Sequence, residues 1–359
     1  MKKVLFLIGT RPEVIKVAPL IRLCKKSNTL EARLCTSGQH AELLTDALAE
    51  FDLTPDISFT VWGTLSQKTA ECLTRFEDVI KKERPDAVAV QGDTLTAYAG
   101  ALTAFYHRIP VFHIEAGLRT PSVHAPFPEE FYRRAIDSIA DLCFAPTSVA
   151  ADHLYQEGKD PASVHTVGNT VLDTLYSDIR SDFASPLLKK DKKLVLMTLH
   201  RRETQGSQAR SICEGVKAAL IERKDAYLLF PVHPSLEVKA AVYPVLDGTP
   251  NIALLPPLDR KTFRNLLAVA TLVLTDSGGV SEEATTLGTP TLLLREVTER
   301  EEGITAGVLH PVGTHPQSIM HAVSDFLDYP RQRKPSPVFG DGSTSPKIIN
   351  FIETFFQKW

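Results

Sequence analysis

Short apolar runs alternate along the chain with longer segments in which apolar residues recur at helical spacing. In the first half a helical pattern through Lys25 follows the first run, and one over Ala41–Phe51 follows the second. Strands that are apolar on both faces and joined by helix-length crossovers are typical of a parallel sheet covered on both sides. The first half therefore predicts one doubly wound α/β unit with strands at Val4–Ile8, Leu30–Thr36, Ala87–Gln91, Val111–Ile114 and Cys143–Ala145.

The same pattern restarts after Gly168-Asn169-Thr170, with a helix predicted near Val171–Phe183. We therefore predict an N-terminal domain over residues 1–168 and a second Rossmann-like domain over 169–344, whose sheets present their carboxyl ends to a common cleft. A last helix over 345–359 has apolar residues at helical spacing, and we expect it to pack back on the first domain. Further strands are predicted at Leu194–Thr198, Tyr227–Pro231, Ile252–Leu255, Thr271–Thr275 and Thr291–Leu294.

Composition narrows the range of functions. A chain of 359 residues suits two domains, and 40 Lys and Arg against 43 Asp and Glu leave no basic excess for nucleic acid. Five scattered cysteines without a Cys-x-x-Cys pair are typical of reduced core thiols in a cytoplasmic protein. The apolar run Val4–Ile8 is too short for a signal peptide, and no stretch approaches the length of a membrane helix, so we expect no membrane association.

The segment Gly9-Thr10-Arg11-Pro12-Glu13, after the first strand, has the features of a helix start. Thr10 and Glu13 have the spacing of a capping box, and Pro12 lies inside the first turn. Arg11 and Lys16 would then lie beside a helix amino terminus, where N–H groups and a partial positive charge favour anions. This arrangement predicts a diphosphate site, and the alternative is a capped helix with two solvated cations.

A second anion site is predicted where the strand Thr271–Thr275 runs into the sequence DSGGVSEE. Gly278 and Gly279 at a strand-to-helix junction let the backbone approach an anion, and Ser277 adds a hydroxyl donor. Glu283 is the candidate acceptor for ribose hydroxyls. The alternative is a tight turn followed by an acidic first helical turn.

The chain lacks the signatures of common cofactor sites. Neither a G-x-G-x-x-G fingerprint nor a P-loop occurs, so no dinucleotide or Walker-type site is expected. His113-x-Glu115 is the nearest approach to metal-ligand spacing, and neither a His-x-x-x-His motif nor a cysteine pair supports it. We predict neither a cofactor nor a required metal.

Three acids lie at or just beyond strand ends in the first half: Asp93, Glu115 and Glu129. Carboxylates about 4 Å apart repel by about 4 kcal/mol at an effective dielectric constant of 20, which would keep one of them protonated. A protonated and an ionised carboxyl side by side supply an acid and a base from the same residue type. Arg119 and Arg133 could instead neutralise these acids as ion pairs.

Two histidines follow predicted strands of the second half, His200 in LHRRE and His233 in PVHP. A histidine at the carboxyl end of a strand can donate to a phosphate or to a leaving oxygen. The alternative is an ordinary surface or core histidine.

Along nearly its whole length the chain resembles the bacterial, non-hydrolysing UDP-N-acetylglucosamine 2-epimerase family, whose fold is similar to that of GT-B glycosyltransferases. The matching blocks, in chain order, are GTRPEVIK, SGQH, GDT, HIEAGLRT, PFPEE, VGNT, HRRE, PVH, TDSGGVSEEA, LGTP, TER and GDG. The resemblance implies a homodimer that interconverts UDP-N-acetylglucosamine and UDP-N-acetylmannosamine, and it implies UDP as the bound nucleotide.

The resemblance also assigns roles to residues. It implies that Ser277, Gly278 and Gly279 contact the phosphates, that Glu283 contacts the ribose and that Phe263 packs on the uracil. The remaining nucleotide and substrate contacts would come from Arg11, Lys16, Arg133 and His233, and the catalytic positions are Asp93, Glu115, Glu129 and His200.

The chemistry of the sugar limits the reaction route. The C2 proton has no adjacent ketone, and oxidation at C3 would need a nicotinamide site that the sequence lacks. Elimination of UDP through a glycal-like intermediate, followed by re-addition, remains. The alternatives are a hydrolysing 2-epimerase that releases N-acetylmannosamine, a GT-B glycosyltransferase, and a non-catalytic UDP-sugar sensor.

Overall fold

The computed structural model describes residues 1–38, 41–199 and 206–358, with the side chains of 41–43 left out. The chain divides into two compact units, Met1–Thr174 with Gly340–Trp359, and Leu175–Phe339. The sequence pattern predicts the boundaries between the two domains after residues 168 and 344. In the structure, the 3-10 turn over Thr170–Thr174 and the loop that begins at Gly340 are part of the first unit.

The first unit contains a seven-stranded sheet in which every strand pairing is parallel. The strand order is β3-β2-β1-β4-β5-β6-β7. Its strands are β1 (Lys2–Ile8), β2 (Leu30–Gly38), β3 (Ile57–Thr60), β4 (Ala87–Gln91), β5 (Val111–Ile114), β6 (Leu142–Ala145) and β7 (Val164–Thr166), and its helices are α1 (Arg11–Cys24), α2 (Ala41–Glu50), α3 (Leu65–Glu83), α4 (Leu95–Tyr106), α5 (Glu129–Ile139), α6 (Ser148–Gln156) and α14 (Thr344–Lys358).

The second unit contains a six-stranded parallel sheet with the order β10-β9-β8-β11-β12-β13. Its strands are β8 (Lys193–Thr198), β9 (Ala226–Pro231), β10 (Ile252–Leu255), β11 (Leu272–Thr275), β12 (Thr291–Leu293) and β13 (Leu309–Pro311), and its helices are α7 (Leu175–Asp178), α8 (Ser207–Leu220), α9 (Leu236–Leu246), α10 (Arg260–Val269), α11 (Gly278–Leu287), α12 (Glu301–Thr305) and α13 (Pro316–Asp328). The prediction of two doubly wound α/β units is confirmed.

Alternate residues of β1 enter opposite faces of the first sheet, as the two-residue repeat of a strand requires. Leu5 and Leu7 pack in one apolar cluster, whereas Val4, Phe6 and Ile8 pack in the other. Both clusters are covered by helices, which explains why the strand reads as a continuous apolar run. Helix α14 covers part of the second cluster, where its residues Ile348, Ile349 and Ile352 are buried.

Two parts of the predicted secondary structure are wrong. The helix expected near Val171–Phe183 is a 3-10 turn followed by the single turn α7. It ends at Asp178 because the Asn265 side chain bonds to the carbonyl oxygen of Asp178 and to the N–H of Arg180, which a longer helix would use itself. Three strands were not expected, namely β3, β7 and β13. Each is an edge strand of only three or four residues, so none carries the apolar run of a strand buried on both faces.

Among the residues that the structure describes, no helix has the combination of length and hydropathy that crossing a membrane requires.

Substituting Ile352 by Ala tests the packing of α14. The Ile352 side chain is fully buried in the cluster that contains Phe6 and Ile8, so its truncation leaves a cavity. We expect the free energy of unfolding of the first unit to fall by about 2–4 kcal/mol in urea denaturation. The matched control is Gln357→Ala, at an exposed position of the same helix. Equal stability of the two variants would contradict this packing.

Candidate active site

The strand order reverses direction between β1 and β4, which are neighbours in the first sheet. Open α/β sheets bind ligands outside the carboxyl ends of the strands at such a switch point. The segment Gly9–Glu13 follows β1, and Asp93 lies two residues after the end of β4. Glu115 directly follows β5, the next strand, whose last residue Ile114 pairs with Gln91 of β4. The sheet therefore brings the ends of three neighbouring strands together.

Glu115 adopts a left-handed backbone conformation, with φ of 69°, which is rare for a residue with a side chain. Its carboxylate is largely buried and accepts hydrogen bonds from the Lys16 ammonium group and from Gln91 Nε2, the latter at 2.6 Å. Lys16 is also buried, so the two charges form a buried ion pair. The predicted diphosphate contact of Lys16 would therefore come from a lysine that is already held by an acid.

Asp93 forms an ion pair with Arg133, whose side chain is almost fully buried on α5. Glu129 is the first residue of the same helix and lies four residues before Arg133, so the two share a helix face. The adjacent Glu130 is fully buried and accepts from the backbone N–H of Thr120 at 3.1 Å. Of this acidic pair, Glu129 is the one that is partly exposed.

The alternative, in which Arg119 and Arg133 neutralise the three candidate acids, applies to Arg133. Arg133 contacts Asp93, whereas Arg119 pairs with Asp137 at 2.8 Å and with Glu157 at 2.5 Å. Asp93 and Glu115 thus each have their own cation.

A buried His113–Asp137 pair lies behind the Asp93 loop. His113 Nδ1 donates to Asp137 at 2.5 Å, and Nε2 donates to the carbonyl oxygen of Gly92 at 2.8 Å. Both ring nitrogens are therefore used in buried hydrogen bonds. Although burial raises the pKa of Asp137, the charges of His113 and Arg119 hold it below its usual range. The His113 ring therefore belongs to this hydrogen-bond network. Its spacing from Glu115 was the nearest approach to metal-ligand spacing in the sequence.

Glu13 makes a different set of contacts from those of the predicted capping box. Helix α1 begins at Arg11, but the Thr10 side chain caps no backbone N–H, so the capping box is wrong. Glu13 Oε2 instead accepts from the Thr10 hydroxyl at 2.7 Å and from the N–H of Gly9 at 3.0 Å. The carboxyl reaches past Thr10 to the end of β1, and the Thr10 hydroxyl turns toward it as a donor.

Burial raises the pKa of Glu13 to about 7, against the opposing effect of its hydrogen bonds to Thr10, Thr94 and Gly9. Only 1% of the residue is exposed. A carboxyl that titrates near neutrality was expected among Asp93, Glu115 and Glu129, and sequence reasoning did not single out Glu13 for it. The available signal was its position in GTRPEVIK, one turn into a helix whose start faces the strand ends.

In the second unit the switch point lies between β8 and β11, and the residues that follow β11 form the amino terminus of α11. Ser277 is the N-cap residue, and its hydroxyl accepts from the N–H of Val280 at 3.4 Å. A side chain added at Gly279 would enter open space, whereas a Cβ added at Gly278 would lie 2.7 Å from the Arg300 guanidinium carbon. Gly279 is therefore open to a ligand, and Gly278 rests on Arg300.

Arg300 is buried beneath this helix start and forms ion pairs with Glu282 at 2.9 Å and with Glu299. The sequence block TER supplied Glu299 and Arg300, but nothing in its spacing indicated that they support the Ser277–Gly279 turn.

Glu283 is buried one turn further along α11, where Oε1 accepts from Arg264 Nε at 2.9 Å and from Arg264 NH2 at 2.5 Å. Burial raises the pKa of Glu283, and the Arg264 charge opposes this rise. Arg264 also pairs with Asp178 at 2.6 Å. The predicted ribose acceptor is thus held in a buried ion-pair network that sequence reasoning missed.

The other predicted residues of the second unit are only partly placed. His233 follows β9, and its Nδ1 accepts from the N–H of Ser235 at 3.2 Å, which leaves the proton on Nε2. Phe263 is a partly buried residue of α10 that packs against the apolar cluster containing Leu266 and Leu267. His200 lies outside the described residues. Arg11, in the first unit, is partly exposed at the first position of α1.

Across the described parts of the chain, no three His, Cys, Asp or Glu side chains are grouped as metal ligands would be.

Comparison with known proteins identifies one family. A family model described as UDP-N-acetylglucosamine 2-epimerase matches residues 22–353. A Bacillus subtilis protein named UDP-N-acetylglucosamine 2-epimerase is 38% identical over 356 residues, which cover 97% of this chain and 94% of the relative. A structure of MnaA from S. aureus with UDP matches with a TM-score of 0.95 and 39% identity over 99% of this chain and 97% of its own. The Neisseria meningitidis UDP-GlcNAc 2-epimerase bound to UDP-GlcNAc matches with a TM-score of 0.93 and 33% identity, over 98% and 100%.

The two adjacent glycines of α11 provide a matched pair of substitutions. In Gly278→Ala the new methyl group must displace Arg300, so we expect the second unit to lose about 1–3 kcal/mol of unfolding free energy. In Gly279→Ala the methyl group meets nothing within 4 Å, so stability should stay within about 1 kcal/mol of the parent. Urea denaturation measures both variants, and an equal loss in both would contradict the support that Arg300 gives to Gly278.

The raised pKa of Glu13 predicts a pH dependence of stability. The folded state favours the protonated carboxyl. The stabilisation that this preference adds to the free energy of unfolding is therefore complete below pH 4.5 and is lost as the pH rises through about 7. Relative to Glu13→Gln, the unfolding free energy of the parent should therefore fall by roughly 3 kcal/mol between pH 4.5 and pH 8. A difference between the two proteins that stays constant over this range would contradict the shift.

Proposed function

Because the chain belongs to the UDP-N-acetylglucosamine 2-epimerase family, we propose that its first unit carries out the proton transfers and its second unit holds the nucleotide. The chain is an isomerase that interconverts UDP-N-acetylglucosamine (UDP-GlcNAc) and UDP-N-acetylmannosamine. The observation that carries the division of labour is the placement of Asp93 and Glu115 after the neighbouring strands β4 and β5, each against a buried cation.

The proposed reaction is an elimination followed by a re-addition. A carboxylate removes the C2 proton of the sugar, the C1–O bond to UDP breaks, and a C1–C2 double bond forms to give a 2-acetamidoglucal. A second group then protonates C2 on the opposite face, and a phosphate oxygen of UDP re-adds to C1. Positive charge developing at C1 acidifies the C2 proton, so no oxidation step is needed.

Inversion at C2 requires proton-transfer groups on two faces of the sugar. We assign these transfers, and the orientation of the groups, to Asp93, Glu115 and Glu129 together. The contacts in the first unit support this assignment, since Lys16 and Gln91 orient Glu115, and Arg133 orients Asp93. These contacts hold both carboxylates in place as proton-transfer groups.

Departure of UDP requires stabilisation of the negative charge on its diphosphate. In the proposal the backbone N–H groups at the start of α11 and the Ser277 hydroxyl bind the phosphates, as helix amino termini do for anions. In the proposal His233, which follows β9, contacts the diphosphate together with Arg11 and His200, and these side chains help to stabilise its negative charge. Glu283 accepts from the ribose and Phe263 packs on the uracil.

We further propose a homodimer formed through the first unit. Phe105 and Tyr106 at the end of α4 are about half exposed or more, and so is Phe131 of α5, which contacts Tyr98 of α4 at 5.7 Å between ring centroids. An exposed aromatic surface of this kind is typical of a protein interface. A monomeric mass in sedimentation equilibrium at micromolar concentration would contradict the homodimer.

We also propose a cytoplasmic location. The five cysteines are buried and unpaired, as is typical of proteins in a reducing compartment.

Product analysis with an Asp93→Asn variant tests the proposed function. The parent should convert UDP-GlcNAc to UDP-N-acetylmannosamine without accumulating free N-acetylmannosamine. Asp93→Asn should lose at least about a thousandfold in kcat, since it removes a proton-transfer group, while UDP binds with unchanged affinity in calorimetry.

The control for this experiment is Asp78→Asn, an exposed position on α3, which should keep full turnover. Release of free N-acetylmannosamine as the main product would favour a hydrolysing enzyme. Retained turnover in Asp93→Asn would contradict the role of Asp93.

A further inference from the structure

Glu13 connects the ends of two neighbouring strands at the switch point of the first sheet. Its Oε2 accepts from Gly9 and Thr10, which follow β1, and its Oε1 accepts from the Thr94 hydroxyl at 2.8 Å, which lies beyond β4. The residue is 1% exposed, so water does not compete for these bonds. One buried carboxylate therefore receives three donors from two loops.

Thr94 directly follows Asp93 and is the N-cap residue of α4. Its hydroxyl oxygen accepts from the N–H of Ala97 at 3.0 Å while its proton points to Glu13. Both hydrogen-bonding functions of this hydroxyl are used, so its orientation is fixed by α4 on one side and by Glu13 on the other.

The residue before Asp93 is held in a similar way. The N–H of Gly92 donates to the carbonyl oxygen of Ile114 at 2.9 Å, and its own carbonyl oxygen accepts from His113 at 2.8 Å. The backbone on both sides of Asp93 is thus fixed by buried groups, while the Asp93 side chain itself reaches Arg133.

We propose that Glu13 is a positioning residue that sets the orientation of Asp93 through Thr94, and that turnover depends on this hydrogen bond. This proposal rests on the proposed function, because it needs Asp93 to transfer a proton. Nothing in the described contacts of Glu13 brings it to the acids themselves, so it acts through Thr94 and takes no part in the proton transfer.

The ionised form of Glu13, which prevails above its pKa of about 7, suits this position better than an amide. All three neighbours donate to Glu13, and the backbone N–H of Gly9 can only donate. In Glu13→Gln one acceptor oxygen becomes an NH2 group that faces a donor, so at least one of the three bonds must break or reverse. Displacement of a catalytic group by about 1 Å costs about a hundredfold in rate.

The experiment measures kcat, KM and UDP affinity for variants at the two positions at about pH 8, where the Glu13 carboxyl is ionised. We expect Glu13→Gln to lower kcat by about tenfold to a hundredfold, with KM and the UDP dissociation constant each within about threefold of the parent. Thr94→Val, which removes the hydroxyl, should lower kcat by a similar factor. Thr94→Ser, which keeps the hydroxyl, should restore kcat to within about threefold of the parent.

Two controls separate positioning from general damage. Thr64→Val removes the side-chain cap of α3 elsewhere in the first unit and should leave kcat unchanged. Glu222→Gln makes the same chemical change at an exposed site of the second unit and should do the same.

A double-mutant cycle tests whether Glu13 acts on Asp93 through Thr94. If Glu13 acts through Thr94, the Glu13→Gln/Thr94→Val variant should be no more than about threefold slower than either single variant, because both remove one bond. Multiplying losses would overturn the proposal, and so would a kcat of Glu13→Gln or Thr94→Val within threefold of the parent. If Glu13→Gln fails to fold, the Thr94→Ser and Thr94→Val pair still gives the answer, since equal kcat in these two contradicts it.

Failure of the proposed function has a different outcome. In that case the parent itself shows no epimerisation, or Asp93→Asn turns over normally. Failure of the positioning proposal leaves an active parent and an inactive Asp93→Asn, with Glu13→Gln at the rate of the parent.

Discussion

An ionised carboxylate withdrawn from water is stable only where a cation or several N–H and O–H donors lie against it. The first unit meets this constraint separately for each acid. Lys16 lies against Glu115, Arg133 lies against Asp93, and His113 with Arg119 lies against Asp137. Glu13 differs, because its described contacts are hydrogen-bond donors and include no cation, and burial raises its pKa to about 7. The chemistry assigned to this unit depends on these partners, because they decide where each carboxyl group points.

The second unit obeys the same constraint around a different ligand site. Arg264 lies between Asp178 and Glu283, and Arg300 lies between Glu282 and Glu299 beneath the start of α11. Removing one member of such a buried pair leaves an uncompensated charge, so these networks hold their elements in place. Arg300 thus lies against the turn at Ser277–Gly279 and neutralises Glu282 of the same helix.

The sequence was sufficient for the parallel sheets, because buried strands such as Ala87–Gln91 and Val111–Ile114 are continuous apolar runs. It missed β3, β7 and β13, where an edge strand needs no such run. Candidate acids could be found because strand ends are visible in the pattern. Their partners could not, since Lys16 and Glu115 are 99 residues apart and Arg264 meets Asp178 across 86. The contact between Glu13 and Thr94 could not be predicted either, because these residues are 81 positions apart. The short spacing between Thr10 and Glu13 suggested a capping box instead.

The most direct measurement follows C2 of the sugar by proton NMR while the enzyme acts on UDP-GlcNAc in deuterated water. Proton transfer through carboxylates that exchange with solvent predicts that deuterium enters C2 as UDP-N-acetylmannosamine forms, with UDP remaining attached in the product. Epimerisation with the original hydrogen retained at C2 would contradict the elimination route and the role given to the acids of the first unit.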